Sequence, residues 1–117
     1  MDYVNGYVLA VPTNKRAEYQ ALAQTSASFF KSNGATSVVE CWGDAVPDGK
    51  LTSFPMAVKC QADETVVFSW VTWPSKEAHD AGMKKVMDNP KFHEEMQKMP
   101  VDGKRMIFGS FQMIVKE

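Results

Sequence analysis

One acidic residue in this sequence interrupts an otherwise apolar strand pattern. Glu40 stands in the middle of residues 38–42, VVECW, where alternation puts Val38, Glu40 and Trp42 on one strand face. We expect the other alternation, Val39 and Cys41, to lie under the helices. A carboxylate on an apolar face costs free energy unless it is paired, and burial raises its pKa towards the range of a general acid or base. Glu40 is therefore the first candidate catalytic residue.

A basic partner for this carboxylate is predicted near the end of the chain. Arg105 stands at the head of the last predicted strand, so a Glu40–Arg105 pair is the catalytic pair that we expect, with Arg105 as the anion partner. Two plainer explanations fit the same pattern: an ion pair at a dimer seam, or a solvated strand end.

Aromatic residues on the predicted strands are candidates for ligand binding. Trp42, Trp70 and Trp73 could line a pocket for a flat organic ligand, or they could simply fill the core and an interface. Tyr7 and Ser69 would add polar groups to the same site if their alternation places them on the face of Glu40. The walls that we predict are Trp42 and Trp73.

Histidines and short motifs give little sign of metal or cofactor chemistry. His79 and His93 do not stand at the spacing of a metal site, so we expect no metal. The sequence lacks glycine-rich phosphate-binding motifs and the G-x-S-x-G nucleophile motif, and we expect no cofactor. His79, near the start of its predicted helix, stays as a candidate ligand-binding residue.

Composition narrows the function classes. The chain has 117 residues and a net charge of −1, with no basic stripe of the kind that binds nucleic acid. No apolar run approaches the ~20 residues of a membrane span, and residues 1–6 do not read as a signal peptide. We expect a cytoplasmic protein in which Cys41 and Cys60 are reduced.

The elements that must position these residues follow from hydrophobic periodicity. We predict one domain over residues 1–117, with helix breaks at Asn33-Gly34 and Asp88-Asn89-Pro90 and a helix cap at Ser75. Thr13 or Asn14 should cap the first helix. The loop 44–54 is either a mobile lid or a plain hairpin loop, and residues 54–60 either form an extra strand or continue one. The remaining predicted elements are strands at 3–11, 36–43, 65–73 and 104–115, and helices at 15–33, 75–87 and from 90 onwards.

This order predicts an α+β domain of the ferredoxin-like kind. Two helices would cover one face of a four- or five-stranded antiparallel sheet in β-α-β-β-α-β order. The strand 65–73 is apolar at both alternations, so the uncovered face would expose a large apolar patch. Pairing of two sheets into a dimeric α/β barrel would bury that patch, and we expect a homodimer.

The whole chain resembles the YbaA-like bacterial family, domain of unknown function 1428. The resemblance implies the ferredoxin-like fold of the dimeric α/β-barrel group, agreeing with the strand order. It implies no activity and no catalytic residues, because the family has none established. Members of the wider fold group include cofactor-free monooxygenases, haem proteins and small-molecule-binding regulators, and haem would require an axial histidine that nothing here singles out. The stretches that carry the resemblance are YVNGYVLAVP at 3–12, VECWGD at 39–44, VPDGK at 46–50, TSFP at 52–55, FSW at 68–70, WPSK at 73–76, MKKVM at 83–87 and DGKRMIFG at 102–109.

Two functions remain open from the sequence. The first is a small-molecule site in the barrel cavity, working as a metal-free, cofactor-independent enzyme with Glu40 as acid or base. The second is a non-catalytic homodimeric binding or interaction protein whose sheet–sheet interface is filled. An open cavity of ~300 Å³ or more favours the first.

Overall fold

The strand Glu64–Trp73 organises the fold. The computed structural model describes residues 2–117, and in it this strand pairs antiparallel with a neighbour on each side. Its β-branched and aromatic residues suit a strand with both faces occupied. The sheet has four strands in the order β2-β3-β1-β4. The elements are β1 Tyr3–Pro12, α1 Arg16–Ser32, β2 Ser37–Trp42, α2 Phe54–Ala57, β3 Glu64–Trp73, α3 Lys76–Met87, α4 Pro90–Met96 and β4 Ile107–Gln112.

Several helix boundaries lie where the sequence predicts them. The Ser75 hydroxyl accepts a hydrogen bond from the Ala78 amide and caps α3, and Pro90 opens α4 as its first residue. Gly34 follows α1 with a φ of +106°, a conformation that glycine adopts without strain. The prediction of a Thr13 or Asn14 cap on α1 is wrong, because a 3-10 turn over Thr13–Lys15 leads into the helix and no side chain caps it.

The helices α1, α3 and α4 pack on one face of the sheet. Trp73 is 1% exposed there, among Phe30, Val86 and Phe92. Gly82 of α3 lies against the indole of Trp73, and a Cβ at this position would overlap the ring and stand 2.5 Å from the Asn33 carbonyl oxygen. The close approach of α3 to the sheet therefore requires glycine.

The opposite face of the sheet is only partly covered. Residues 54–60 are not a strand, contrary to both predictions for them: they form the short helix α2 and a turn. Val58 of this turn is fully buried against Val8, Ala10 and Val66. We call this side of the sheet the open face, because it still exposes the strand residues Phe68, Ile107 and Phe111.

The architecture is the predicted α+β, ferredoxin-like arrangement, with helices on one face of an antiparallel sheet. The last strand is shorter than predicted, since β4 covers Ile107–Gln112 only. Among residues 2–117, no helix is both long enough and apolar enough to cross a membrane.

Candidate functional site

Glu40 lies on the helix-covered face of the sheet. The strand register aligns Glu40 of β2 with Ser69 of β3, and Ser69 with Tyr7 of β1, so the three residues form one row across the sheet. Tyr7 and Ser69 therefore meet the condition set for them, a common face with Glu40. The prediction that this face points away from the helices is wrong. Glu40 and Trp42 point towards α1, and Val39 and Cys41 lie on the open face.

A tyrosine on α1 makes this position tolerable for a carboxyl group. The Tyr19 hydroxyl donates a 2.6 Å hydrogen bond to Oε1 of Glu40. Glu40 lies on an edge strand, and the residue as a whole is exposed. Its carboxyl group nevertheless turns inward to Tyr19, where it loses part of its hydration. Burial raises the pKa of the Glu40 carboxyl, and the Tyr19 hydrogen bond offsets part of the rise.

An open groove adjoins the Glu40–Tyr19 pair. It has a volume of about 370 Å³ and runs between α1 and the edge strand β2. Trp42 forms part of its wall, and the guanidinium carbon of Arg16 lies 5.3 Å from the centre of the Trp42 ring. We call this space the Glu40 groove. The groove is lined by Arg16, Tyr19, Gln20, Ala23, Gln24, Ala27, Val38, Glu40, Cys41, Trp42 and Val67.

Two further predicted ligand-binding residues lie behind the groove rather than in its wall. Ser69 is 4% exposed and sits opposite Glu40 in the register. Tyr7 is half-buried between the two clusters of the helix-side core and stacks on Phe108. Burial raises the pKa of the Tyr7 phenol, and the nearby Glu40 carboxylate raises it further. Tyr7 is thus close enough to sense the charge of Glu40.

Arg105 is not the partner of Glu40, contrary to prediction. It lies in a turn before β4, and its guanidinium donates to both carboxylate oxygens of Glu64 at 2.7 and 2.8 Å. It also donates to the Lys59 carbonyl and to Asp102. The bidentate pair holds the pKa of Glu64 down to about 2. Arg105 therefore fastens the chain segment before β4 to the start of β3.

Trp73 and His79 belong to a separate polar network and do not wall the groove, contrary to prediction. Trp73 stands four residues along β3 from Ser69, about 13 Å away on the same face. Its indole N–H donates to Oδ1 of the buried Asn5 at 2.8 Å. The Asn5 amide nitrogen then faces Nε2 of His79 at 2.9 Å, and His79 Nδ1 faces Asp80 at 2.8 Å.

This network fixes the tautomer of the histidine. The indole can only donate, so it sets the orientation of the Asn5 amide, and the Asn5 nitrogen must donate to His79. Nε2 of His79 is therefore the acceptor, and the proton sits on Nδ1 towards the Asp80 carboxylate. The second amide hydrogen of Asn5 is taken by the Ser110 hydroxyl at 2.9 Å. The network is satisfied within the chain, which gives it a structural role.

The predicted lid does not cover the Glu40 groove. Within residues 44–54, none lines that groove. Part of the loop instead lines a second, separate cavity of about 360 Å³, next to Cys60 and Glu64. Neither Cys41 nor Cys60 forms a disulfide.

Comparison with known proteins identifies the family. The model of the family described as "Protein of unknown function (DUF1428)" matches residues 2–103. The chain belongs to this family. It is 50% identical to "Uncharacterized protein YbaA" of Escherichia coli strain K12, over all 117 residues and the full length of both chains. The resemblance predicted from the sequence is confirmed.

Solved structures confirm the fold of this DUF1428 family member. A variant of SnoaB, a cofactor-independent oxygenase from Streptomyces nogalater, matches with a TM-score of 0.62 at 13% identity, covering 98% of this chain and 95% of that one. A dimeric ferredoxin-like protein from an uncultured marine organism matches over the full length of both chains, with a TM-score of 0.63 at 9% identity. At these identities the likeness establishes the ferredoxin-like fold and leaves activity to be argued from the site.

Sequence reasoning missed two groove residues of this family member, Tyr19 and Arg16. Tyr19 stands in the apolar stripe of α1 and carries a hydroxyl there, a signal that a polar partner lies opposite. Arg16 gave no signal, because a single arginine at the start of a helix is common on protein surfaces. The arrangement offers a proton acceptor at Glu40, a flat wall at Trp42 and a cation at Arg16.

Proposed function

We propose that this chain binds a small organic molecule in the Glu40 groove and that Glu40 exchanges a proton with it. The observation that carries the proposal is a carboxyl group of raised pKa, held by Tyr19, beside an open groove with an indole wall. The volume of about 370 Å³ falls at the lower end of ligand sites, which suits a small ligand.

The proton transfer requires neither a metal nor a cofactor. An acidic C–H or O–H bond of the ligand would break, its electron pair would stay on the ligand as an enolate or oxyanion, and the proton would move to Glu40. The raised pKa makes this carboxylate a stronger base than an ordinary glutamate, and the Tyr19 hydrogen bond keeps it oriented. The cofactor-independent chemistry of SnoaB, on the same fold, is compatible with this proposal.

Binding can be tested by blocking the groove from its rim. Gln24 is an exposed α1 residue that lines the groove, so Gln24→Trp should fill it without disturbing the core. Ser28→Trp, exposed on the same helix and outside the groove, is the matched control. We expect saturation-transfer NMR to detect binding of flat bicyclic fragments to the wild type and to Ser28→Trp, but not to Gln24→Trp. Equal binding to all three proteins would argue against the groove as the site.

Proton transfer can be tested with 2-tetralone, a flat ketone with acidic C–H bonds. In D₂O, NMR would follow exchange of its α-hydrogens for deuterium. We expect catalysed exchange with wild type and with the control Glu18→Gln, an exposed α1 residue, and a loss of about 10²-fold or more with Glu40→Gln. Binding without any catalysed exchange would favour the alternative, a non-catalytic binding protein.

A second copy of this chain is the proposed partner of the open face. This face exposes Phe68, Ile107 and Phe111 at 44, 44 and 59%, which is unusual for one side of a sheet facing water. The marine relative by fold is described as dimeric, which supports the proposal. Pairing would be isologous and compatible with ligand binding, because the Glu40 groove lies on the other face.

The dimer can be tested by light scattering after size-exclusion chromatography. Phe111→Glu should convert a dimer into a monomer, whereas Met87→Glu, at an exposed apolar residue of α3, should leave a dimer. A wild-type monomer at micromolar concentration would contradict the proposal. We also propose a cytoplasmic location, which the two unpaired cysteines support.

A further inference from the structure

Arg16 is a cation at the mouth of the Glu40 groove, and no carboxylate among residues 2–117 pairs with it. It is exposed, and among residues 2–117 its guanidinium forms no ion pair and no hydrogen bond with another side chain. The only other arginine, Arg105, has its guanidinium engaged by two carboxylates. Arg16 is held instead over the ring of Trp42.

The single carboxyl group in the groove does not neutralise this cation. Glu40 is the only acidic residue of the lining, and it accepts its hydrogen bond from Tyr19. Among residues 2–117, no ion pair joins Arg16 to Glu40. The groove thus offers a guanidinium and a proton acceptor as two separate polar groups, joined by the indole wall of Trp42.

We infer that the ligand of the Glu40 groove is a flat organic anion, whose carboxylate binds Arg16 while its ring lies against Trp42. This inference rests on the proposed function. A guanidinium presents its N–H groups as a planar fork, and this fork can donate to a carboxylate in a bidentate manner. The acidic C–H or O–H bond of such a ligand would then face Glu40, at the other end of the wall.

Two ligand probes of the same shape separate the contribution of the carboxylate charge to binding from that of the aromatic ring. 2-Naphthoate carries a carboxylate, and 2-naphthamide is its neutral counterpart. Dissociation constants from isothermal titration calorimetry at low ionic strength should show naphthoate binding about tenfold or more tightly than naphthamide, as expected for hydrogen bonds to a charged group. Added salt should narrow the difference, because Arg16 is exposed.

Variants at Arg16 assign the preference to one side chain. Arg16→Gln should bind both probes equally, and Arg16→Lys should keep part of the preference, since it retains charge but loses the planar fork. Lys15→Gln is the matched control: it removes the same charge from the neighbouring exposed residue, which lies outside the groove lining, and should keep the full preference.

The outcomes separate this inference from the proposed function. If the wild type binds naphthamide as tightly as naphthoate, or if Arg16→Gln keeps the preference, the anion inference is overturned while the groove remains a ligand site. If neither probe binds and Gln24→Trp changes no fragment contact, both ideas are wrong. A preference that disappears in Arg16→Gln alone supports the inference.

Discussion

Replacement of Tyr19 by phenylalanine removes one hydroxyl from the pair that defines the groove. The lost hydrogen bond is 2.6 Å long, in the range of a charge-assisted O–H···O⁻ contact. Hydrogen bonds to charged groups contribute about 1.5–3 kcal/mol to stability, and those between neutral groups about 0.5–1.5 kcal/mol. Because Glu40 borders an open groove, the lower ends of both ranges apply. We therefore expect a Tyr19–Glu40 coupling of about 1.5 kcal/mol with the carboxyl ionised and about 0.5 kcal/mol with it protonated.

A double-mutant cycle measures this coupling directly. Urea unfolding of wild type, Tyr19→Phe, Glu40→Ala and the double variant, at about pH 7.5 and about pH 4, gives the four free energies needed at each protonation state. Tyr7→Phe in the same cycle is the control, because Tyr7 is near Glu40 without a hydrogen bond to it. A Tyr19–Glu40 coupling no larger than that of Tyr7, below about 0.5 kcal/mol at both pH values, would refute the reasoning.

Three other predictions follow from contacts outside the groove. Gly82→Ala should lower the free energy of unfolding by about 2 kcal/mol in urea, from the clash with the buried indole, while Gly103→Ala, with open space around it, should change it by less than about 0.5 kcal/mol. The depressed pKa of Glu64 contributes to the free energy of unfolding above pH 4.5, and this contribution is lost as the pH falls towards about 2. Arg105→Gln should abolish this loss, measured as the change of the urea midpoint with pH. Nitrogen-15 NMR should find the neutral imidazole of His79 as the Nδ1–H tautomer, and the Nε2–H form would contradict the fixed amide orientation.

The raised pKa of Glu40 has the opposite consequence for stability. The Glu40 carboxyl binds a proton more tightly in the folded protein than in the unfolded chain. Its contribution to the free energy of unfolding is therefore fully present below the unfolded-state pKa of about 4.5, and it is lost as the pH rises through the folded-state pKa. Glu40→Gln should remove that loss. Comparison of the urea midpoints of the two proteins between about pH 4 and about pH 8 checks the sign, and a wild type that gains stability relative to the variant across this window would contradict it.

The strand alternation predicted which residues share a face but could not say which face the helices cover. Val38, Glu40 and Trp42 were expected on one face because the period of two is fixed within a strand, whereas the alignment of Tyr7 and Ser69 with Glu40 depends on the register between three strands. Both faces of the sheet are apolar, so hydrophobicity did not distinguish them, and the charge of Glu40 favoured the open side. The Tyr19 hydroxyl, which stabilises the carboxyl under α1, comes from a different element and depends on how that helix is rotated.

Side-chain pairs between residues far apart in the sequence could not be predicted either. Arg105 was assigned to Glu40 because it was expected at the head of the last strand, but the shorter last strand leaves Arg105 in a turn beside Glu64. Residues 54–60 were wrongly expected as strand, because periodicity cannot tell so short an apolar run in a strand from one in a helical turn. By contrast, the Ser75 and Pro90 signals act within one turn of their own helix and were correct.

The pKa of Glu40, measured with and without a ligand, tests the central claim most directly. Carbon-13 NMR of the side-chain carboxyl groups would follow Glu40, assigned by its absence in Glu40→Gln, across a pH titration of the free protein and of the protein with 2-tetralone. The account predicts a pKa above that of an ordinary glutamate, rising further when the ligand excludes water from the groove. An ordinary pKa that the ligand leaves unchanged would contradict the assignment of the Glu40 groove as the site.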